Sequence, residues 1–385
     1  MSHALLSASS SKRWINCPPS ARLEEQFPDT ESVYAREGTL AHSIAELKVR
    51  KYFVEPMSQR TFNSRLKKLQ KDELYQPEML NHTDTYLEYI KGIAYDCKTP
   101  PYVAVEKRLD YSNVVPEGFG TGDCILISGD TLYIIDFKYG RGVPVYAEDN
   151  SQMMLYALGA VNAYSMLYTI NNIVMTIVQP RLDNISEYRM GIRELNAWAD
   201  SIKPIAEQAH KGEGDFCEGD WCGFCRAKAQ CRHRSSQMSA LEAFGEKLPP
   251  LISDDEVGKI LLKAQNLKKW ASDIEEYALS SLLAGKEIPG WKAVEGRKNR
   301  SFTDAEKAFE AAVKSGIDEA LLYERKPLSL TNVEKLMGKK EFTDTLSEYI
   351  TVAPGKPTLA PLSDARESIT NKITAEEAFK QEENK

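Results

Sequence analysis

Residues 120–138 read GTGDCILISGDTLYIIDFK. Two apolar, β-branched runs flank a Gly129-Asp130 dipeptide, which is the pattern of a strand, a two-residue turn and a second strand. With Gly129-Asp130 as the turn, Ser128 pairs with Thr131, and counting outward sets Asp123 opposite Asp136. Cross-strand partners have Cβ atoms about 5 Å apart, so the two carboxylates converge. Lys138 lies two residues beyond Asp136 and shares its face. The rest of both strands is apolar on both faces, as in the middle of a covered sheet. Like charges facing each other repel unless a cation lies between them. The stretch therefore reads as a Mg²⁺ or Mn²⁺ site with a lysine alongside; the alternative is an edge hairpin with solvated acids.

Moving outward, the strand that leads into this hairpin spans residues 102–109 and carries Glu106, which either faces the same site or is a solvated strand acid. A helix over 35–53 has an apolar stripe of Leu40, Ile44, Leu47 and Val49, with His42 and Glu46 four apart on one face. A second helical stretch covers 66–97 and is broken or kinked at Pro77. Downstream, Gly140-Arg141-Gly142 forms a loop, and a helix over 148–164 carries Gln152 and Tyr156 one turn apart. A buried strand follows at 173–178, a short one at 188–191 and a helix at 192–210. Residues 150–180 hold no charged side chain. Gln152, Asn162 and the Asn171-Asn172 turn argue for a buried helix and strand there, not a membrane span.

The chain has 385 residues, 42% hydrophobic and 27% charged, with a net charge of −7. This is the balance of a soluble globular protein with room for two domains. Met1 to Ser11 lacks the apolar core of a signal peptide, so a cytoplasmic location is expected. Nucleic-acid binding would need local basic patches: Lys12-Arg13, residues 60–71, residues 226–234, and Arg297-Lys298-Asn299-Arg300. Seven cysteines in such a protein are not a disulfide framework. Four of them follow Cys217-x4-Cys222-x2-Cys225-x5-Cys231, a strong metal signal. That set suits a four-thiolate zinc site or an iron–sulfur cluster, for which Cys17, at the end of a short N-terminal helix before Pro18, is a distant alternative ligand. Cys97 and Cys124 read as inert core residues. Beyond residue 235, residues 236–253 read as a linker, 254–351 as a mainly helical domain opening on a long helix over 254–283, and 352–385 as an extended or disordered tail. Residues 291–302 are basic with aromatic ends. Short helices are expected near 304–315, 330–338 and 340–349.

Taken in order, His42, Gly120-x-Gly122-Asp123, Asp136-Phe137-Lys138 and Gln152-x3-Tyr156 resemble the RecB-type nucleases of the PD-(D/E)XK superfamily. One cysteine before that core and Cys222-x2-Cys225-x5-Cys231 after it resemble the iron–sulfur subgroup that includes CRISPR adaptation and AddB-type nucleases. The resemblance covers roughly residues 5–235, and the whole chain further resembles phage and prophage proteins with a C-terminal extension. It implies an α/β fold with a PD-(D/E)XK restriction-endonuclease-like core, a mixed central sheet flanked by helices, followed by a mainly helical C-terminal region. It implies a Mg²⁺- or Mn²⁺-dependent DNA exonuclease serving phage recombination or end processing. Asp123, Asp136, the Phe137 carbonyl and His42 would be metal ligands. Lys138 would activate the attacking water, and Gln152 and Tyr156 would position lysine, water or DNA. A structural 4Fe-4S cluster would sit on Cys17, Cys222, Cys225 and Cys231. Cys217 departs from the pattern and leaves the fourth ligand open, with Zn²⁺ as the alternative occupant. There is no Gly-x4-Gly-Lys-Ser/Thr phosphate loop, so the nuclease would act alone or with a separate recombination or single-strand annealing protein. The rival expectation is a non-catalytic DNA-binding or scaffold protein that keeps the fold. Oligomeric state is invisible at this level.

Overall fold

A computed structural model describes residues 4–28, 32–239, 254–294, 304–314, 319–323 and 330–350. The helices are α1 (Ser11–Asn16), α2 (Ser20–Glu24), α3 (Val33–Val49), α4 (Gln59–Leu69), α5 (Glu78–Asp96), α6 (Ser151–Tyr164), α7 (Ile192–Lys211), α8 (Arg232–Ser239), α9 (Asp254–Leu283), α10 (Ala305–Lys314), α11 (Leu330–Met337) and α12 (Lys339–Leu346). The strands are β1 (Tyr102–Asp110), β2 (Phe119–Ser128), β3 (Thr131–Phe137), β4 (Asn172–Gln179) and β5 (Asn184–Gly191).

The five strands form one mixed sheet in the order β1-β2-β3-β4-β5. All neighbours are antiparallel except β3 and β4, which run parallel. A parallel pair needs a crossover connection, and α6 supplies it. The period-2 alternation of β3 divides its side chains between two cores. Leu132 and Ile134 join α6, α7 and the N-terminal segment on one face. Ile135 and Phe137 join α3 and α5 on the other. Asp123 and Asp136 have the parity of the α6 face. In α6 every residue from Met153 to Ala160 is buried, as a helix without charges across a sheet must be. Gly159 allows that approach, since a Cβ there would meet Leu109 Cβ at 2.7 Å.

The predicted elements recur with shifted ends. The stretch expected at 66–97 is two helices, the first beginning at Gln59 and the second capped at Pro77. Asn150 caps α6, its side chain accepting from the Gln152 and Met153 N–H groups, so the helix starts later than residue 148. β5 is eight residues long and its exposure alternates, as on an edge strand. The helix after Ser32 ends in a π-helical turn, Arg50–Val54.

The chain divides into two compact units, Met1–Val294 and Glu295–Lys385. The division does not fall in the expected 236–253 linker, whose first residues complete α8. The long helix α9 belongs to the first unit because Asp273, Tyr277 and Lys269 engage the cysteine segment. Residues 240–253, the basic stretch 295–303 and the 352–385 tail lie outside the described residues. The short helices expected in the second unit are present as α10, α11 and α12. Among the described residues no helix is long and apolar enough to cross a membrane.

Candidate metal centre and cysteine cavity

The turn of the central hairpin is the expected one. Gly129 has φ +58°, and the Ser128↔Thr131 register runs to Cys124↔Ile135. Extending it one step sets Asp123 opposite Asp136. The Asp130 carboxylate accepts from the side chains of Asn171 and Asn172, and its backbone carbonyl from their N–H groups. This fixes β4 beside β3, and the Lys138 N–H donates to Val178 O at 2.9 Å.

At the far end of the hairpin the polar side chains meet. Phe137 N–H donates to Asp123 Oδ2 at 2.8 Å. His42 Nδ1, from α3, is 3.4 Å from Asp123 Oδ1. Lys138 Nζ is 3.0 Å from Asp136 Oδ2 and donates to Gln152 Oε1 at 3.3 Å. Gln152 Nε2 donates to the Tyr156 hydroxyl at 3.0 Å. Gly120 makes room for that tyrosine: a Cβ there would lie 2.7 Å from Tyr156 Cε1. The Phe137 ring is buried on the opposite face against His42 and Tyr86, so Phe137 enters the site through its backbone alone.

Glu106 belongs to this group. It has φ +50° within a strand, and the β1–β2 ladder is interrupted there, between Val105↔Cys124 and Lys107↔Gly122. A non-glycine residue in that conformation costs about 1–3 kcal/mol. The distortion accompanies convergence: ligand atoms of His42, Glu106 and Asp123 lie within 4.8 Å of one another. No pattern in the sequence announces the distortion.

The site is rich in negative charge, and its protonation equilibria reflect that. Burial, with the nearby Asp123 carboxylate, raises Glu106 to about 7. Burial also raises Asp136, against the pull of Lys138. Burial would raise Asp123 too, but His42 and Lys138 outweigh it and hold this carboxyl below its ordinary value. Burial alone would lower His42 and Lys138; the facing carboxylates keep both above their ordinary values. Buried Asp136 Oδ2, though paired in charge with Lys138, has no aligned hydrogen-bond donor among the described residues. A carboxylate oxygen in that position suits a hard cation, and the donor set of carboxylate oxygens and one imidazole suits Mg²⁺ or Mn²⁺.

Proton–metal competition gives a testable sign. A carboxyl raised from its unfolded value favours folding while protonated and loses that contribution as pH rises through about 7. Metal-free protein carrying Glu106→Gln is therefore expected to melt higher than wild type above that pH. The thermal shift on adding Mn²⁺ to wild type is expected to be larger one pH unit above this value than one unit below. In Glu106→Gln that difference shrinks. An equal Mn²⁺ shift at both pH values in wild type would remove Glu106 from the site.

The cysteines gather around a second cavity, lined by Cys17, Cys217, Cys222, Cys225 and Cys231. Cys17 follows α1 and is buried, as is Cys225. Burial raises the thiols of Cys17 and Cys222, and takes Cys225 to about 12; Cys222 and Cys231 are electrostatic neighbours of Cys17. Cys217 is exposed. Its thiol donates to Glu218 O, and its backbone N–H donates to Cys17 Sγ at 3.4 Å. Cys17, Cys222 and Cys225, whose thiols burial raises, line one cavity with Cys231, and four sulfurs are a donor set for a soft metal centre. Cys97 caps α5 and Cys124 is fully buried, outside this group.

Two ion-pair systems seal the cavity, and neither is legible in the sequence. Buried Glu24 accepts from Arg13 at 2.9 Å and from the Arg226 N–H at 2.7 Å, while Arg13 also donates to Phe224 O. On the other side Asp273 of α9 takes Lys228 on one oxygen at 2.9 Å and Arg234 on the other at 2.6 Å. Burial would raise Asp273, but these two cations hold it below its ordinary value. Asp273→Ala leaves Lys228 and Arg234 without their carboxylate and is expected to cost about 1–3 kcal/mol. Hydrogen exchange should then show α9 and residues 217–234 opening together; unchanged protection in both would contradict the link.

Two comparisons bear on this chain. The family model described as "Protein of unknown function (DUF2800)" matches residues 3–367. A solved structure titled "Crystal structure of SSO0001" is similar at 14% sequence identity, over 51% of this chain and 98% of that chain, with a TM-score of 0.25. A similarity at that TM-score carries no weight for the site.

Proposed function

We propose that this chain, which belongs to the DUF2800 family, is a Mg²⁺- or Mn²⁺-dependent deoxyribonuclease of the RecB-like PD-(D/E)XK type, acting as an exonuclease. The observation that carries this reading is Lys138. Its ammonium is held between Asp136 Oδ2 and Gln152 Oε1, beside the facing Asp123 and Asp136 carboxylates. A plain cation site has no use for a partly buried lysine beside its carboxylates, because the ammonium repels the ion. A phosphodiesterase does, because charge builds up on the phosphate oxygens as water attacks.

Asp123, Asp136, Glu106 and His42 would hold the divalent ion, which supplies Lewis-acid polarisation of the phosphate and a lowered pKa for its bound water. The chain's own residues do the rest. Asp123 fixes the end of β3 through the Phe137 N–H, keeping both carboxylates in register. Gln152 and Tyr156 orient the ammonium from α6. Lys138 aligns the attacking water and neutralises the pentacovalent phosphate. The cysteine set of Cys17, Cys222, Cys225 and Cys231 fits an iron–sulfur cluster with a structural role; Cys217 also lines the cavity but is exposed, and its thiol donates to Glu218 O.

The test is degradation of end-labelled linear DNA by the purified full chain. Products are expected with Mg²⁺ or Mn²⁺ and not with EDTA. DNA that is bound but left intact under all metal conditions would overturn the nuclease reading and favour a scaffold that retains the fold.

A further inference from the structure

Of the four basic stretches in the sequence, two have their most buried cations paired within the molecule. Arg13 is paired with Glu24, Lys228 and Arg234 with Asp273, and Arg234 is 6% exposed. Arg297 to Arg300 lies outside the described residues. The stretch from Arg60 to Lys71 is different. Helix α4 carries Arg60, Arg65, Lys67 and Lys68, all exposed, and contains no acidic residue. Arg65 and Lys68 line a groove whose other wall is α3, with Ser43, Glu46 and Arg50.

The groove abuts the candidate metal site. Ser43 follows His42 in α3. Arg50 donates from Nε to Glu46 at 2.6 Å and from Nη2 to Val105 O at 3.0 Å, one residue before Glu106. Glu46 and Arg50 are both electrostatic neighbours of Glu106. Arg50 also opens the π-helical turn that ends α3, an irregularity that recurs at functional sites. Arg65 and Lys68 are three residues apart, hence neighbours on one face of α4. Of the groove's acids, Glu46 is engaged by Arg50 and Glu55 by Arg65 at 3.4 Å.

Resting on the nuclease reading above, we propose that this groove is the track for the phosphodiester backbone of the strand that runs through the metal site, with phosphates seated on Arg65 and Lys68. Cations on an acid-free helix wall, continuous with a site that cleaves phosphodiesters, match an evenly charged polyanion. An acidic peptide would match the charge but not the continuity with the site.

The test uses full-length protein in EDTA, where binding is read without cleavage, and fluorescein-labelled single strands of two lengths. Both residues are exposed, so Arg65→Glu/Lys68→Glu, with Arg65→Gln/Lys68→Gln as the milder control, should fold as wild type does. For a strand of about 30 nucleotides the charge-reversed protein is expected to bind about 10-fold more weakly, with a salt slope shallower by about 1.4, the value for two lost phosphate contacts. A strand too short to reach α4 is expected to bind both proteins equally. With metal present, the same substitution should raise KM on the long strand and leave kcat unchanged. Equal affinity and slope for the long strand, equal weakening at both lengths, or no DNA binding by wild type would each overturn the proposal. Cleavage by wild type with an unaffected variant sinks the track alone. Salt-dependent binding weakened in the variant, without any cleavage, sinks the nuclease reading and leaves the groove as a backbone-binding surface.

Discussion

Lys138→Ala is expected to lower the single-turnover rate of DNA cleavage by about 10³-fold while leaving Mn²⁺ affinity unchanged or slightly tighter. The two halves of this expectation come from the same geometry. The ammonium is 3.0 Å from Asp136 Oδ2 and bonded to Gln152, so it is poised for a phosphate and its water. It is also a positive charge beside the carboxylates that would hold the ion, so its removal relieves repulsion toward a cation. Asp136→Ala should behave in the opposite sense for the metal. It removes a buried carboxylate oxygen that lacks an aligned donor and that would face the ion, and it leaves the lysine without its counter-ion, so both affinity and rate should fall. Calorimetric Mn²⁺ titration beside rapid-quench kinetics separates the two. A Lys138→Ala protein that keeps its rate would leave the site a structural cation site.

The second large effect concerns the cysteine cavity. Cys17→Ser is expected to strip the bound metal from the protein and lower its thermal midpoint by roughly 10 °C, equivalent to about 3 kcal/mol. Cys217→Ser should change neither. The reasoning is local. Cys17 is buried and has Cys222 and Cys231 as electrostatic neighbours, whereas the Cys217 thiol is exposed and turned to Glu218 O. Burial raises the thiols of Cys17, Cys222 and Cys225, so their conversion to thiolates needs a metal centre to compensate. Such a centre would bind α1 to a segment some 200 residues later, a link otherwise made by Glu24 with Arg13 and Arg226. Iron and sulfide analysis of anaerobically purified protein identifies the group; stoichiometric zinc without iron would replace the cluster with a four-thiolate zinc site. Metal lost from Cys217→Ser but kept by Cys17→Ser would reverse the ligand assignment.

The hairpin was legible because a Gly-Asp turn between apolar runs fixes register, and register alone decides which acids face each other. The pairing of Ser128 with Thr131 fixes the ladder as far as Cys124 and Ile135, one step short of Asp123 and Asp136, which act on each other electrostatically. The one-turn spacing of Gln152 and Tyr156 was enough to place both on one face of α6, where they meet in a hydrogen bond. What the sequence hid was of another kind. The positive φ of Glu106 is a backbone choice that no residue pattern marks. β5 is longer than the 188–191 strand its sequence suggests because, as an edge strand, it carries the polar and charged residues Ser186, Glu187 and Arg189, which mask its pattern. α4 begins at Gln59, ahead of the expected 66, because its apolar stripe of Phe62, Leu66 and Leu69 is short, only partly buried and set in an otherwise polar segment. The partnering of Arg13 and Arg234 with acids 11 and 39 residues away is set by tertiary structure, so basic stretches that look alike in sequence differ in what they are free to bind.

The proposed cation-assisted phosphodiesterase site lies at the end of the β2–β3 hairpin. Its most direct test follows end-labelled linear DNA with wild type, Asp136→Ala and Lys138→Ala side by side, in Mg²⁺, Mn²⁺ and EDTA. Cleavage is expected with wild type only, and only with the divalent ion. Equal degradation by all three proteins, or degradation by wild type that persists in EDTA, would contradict it.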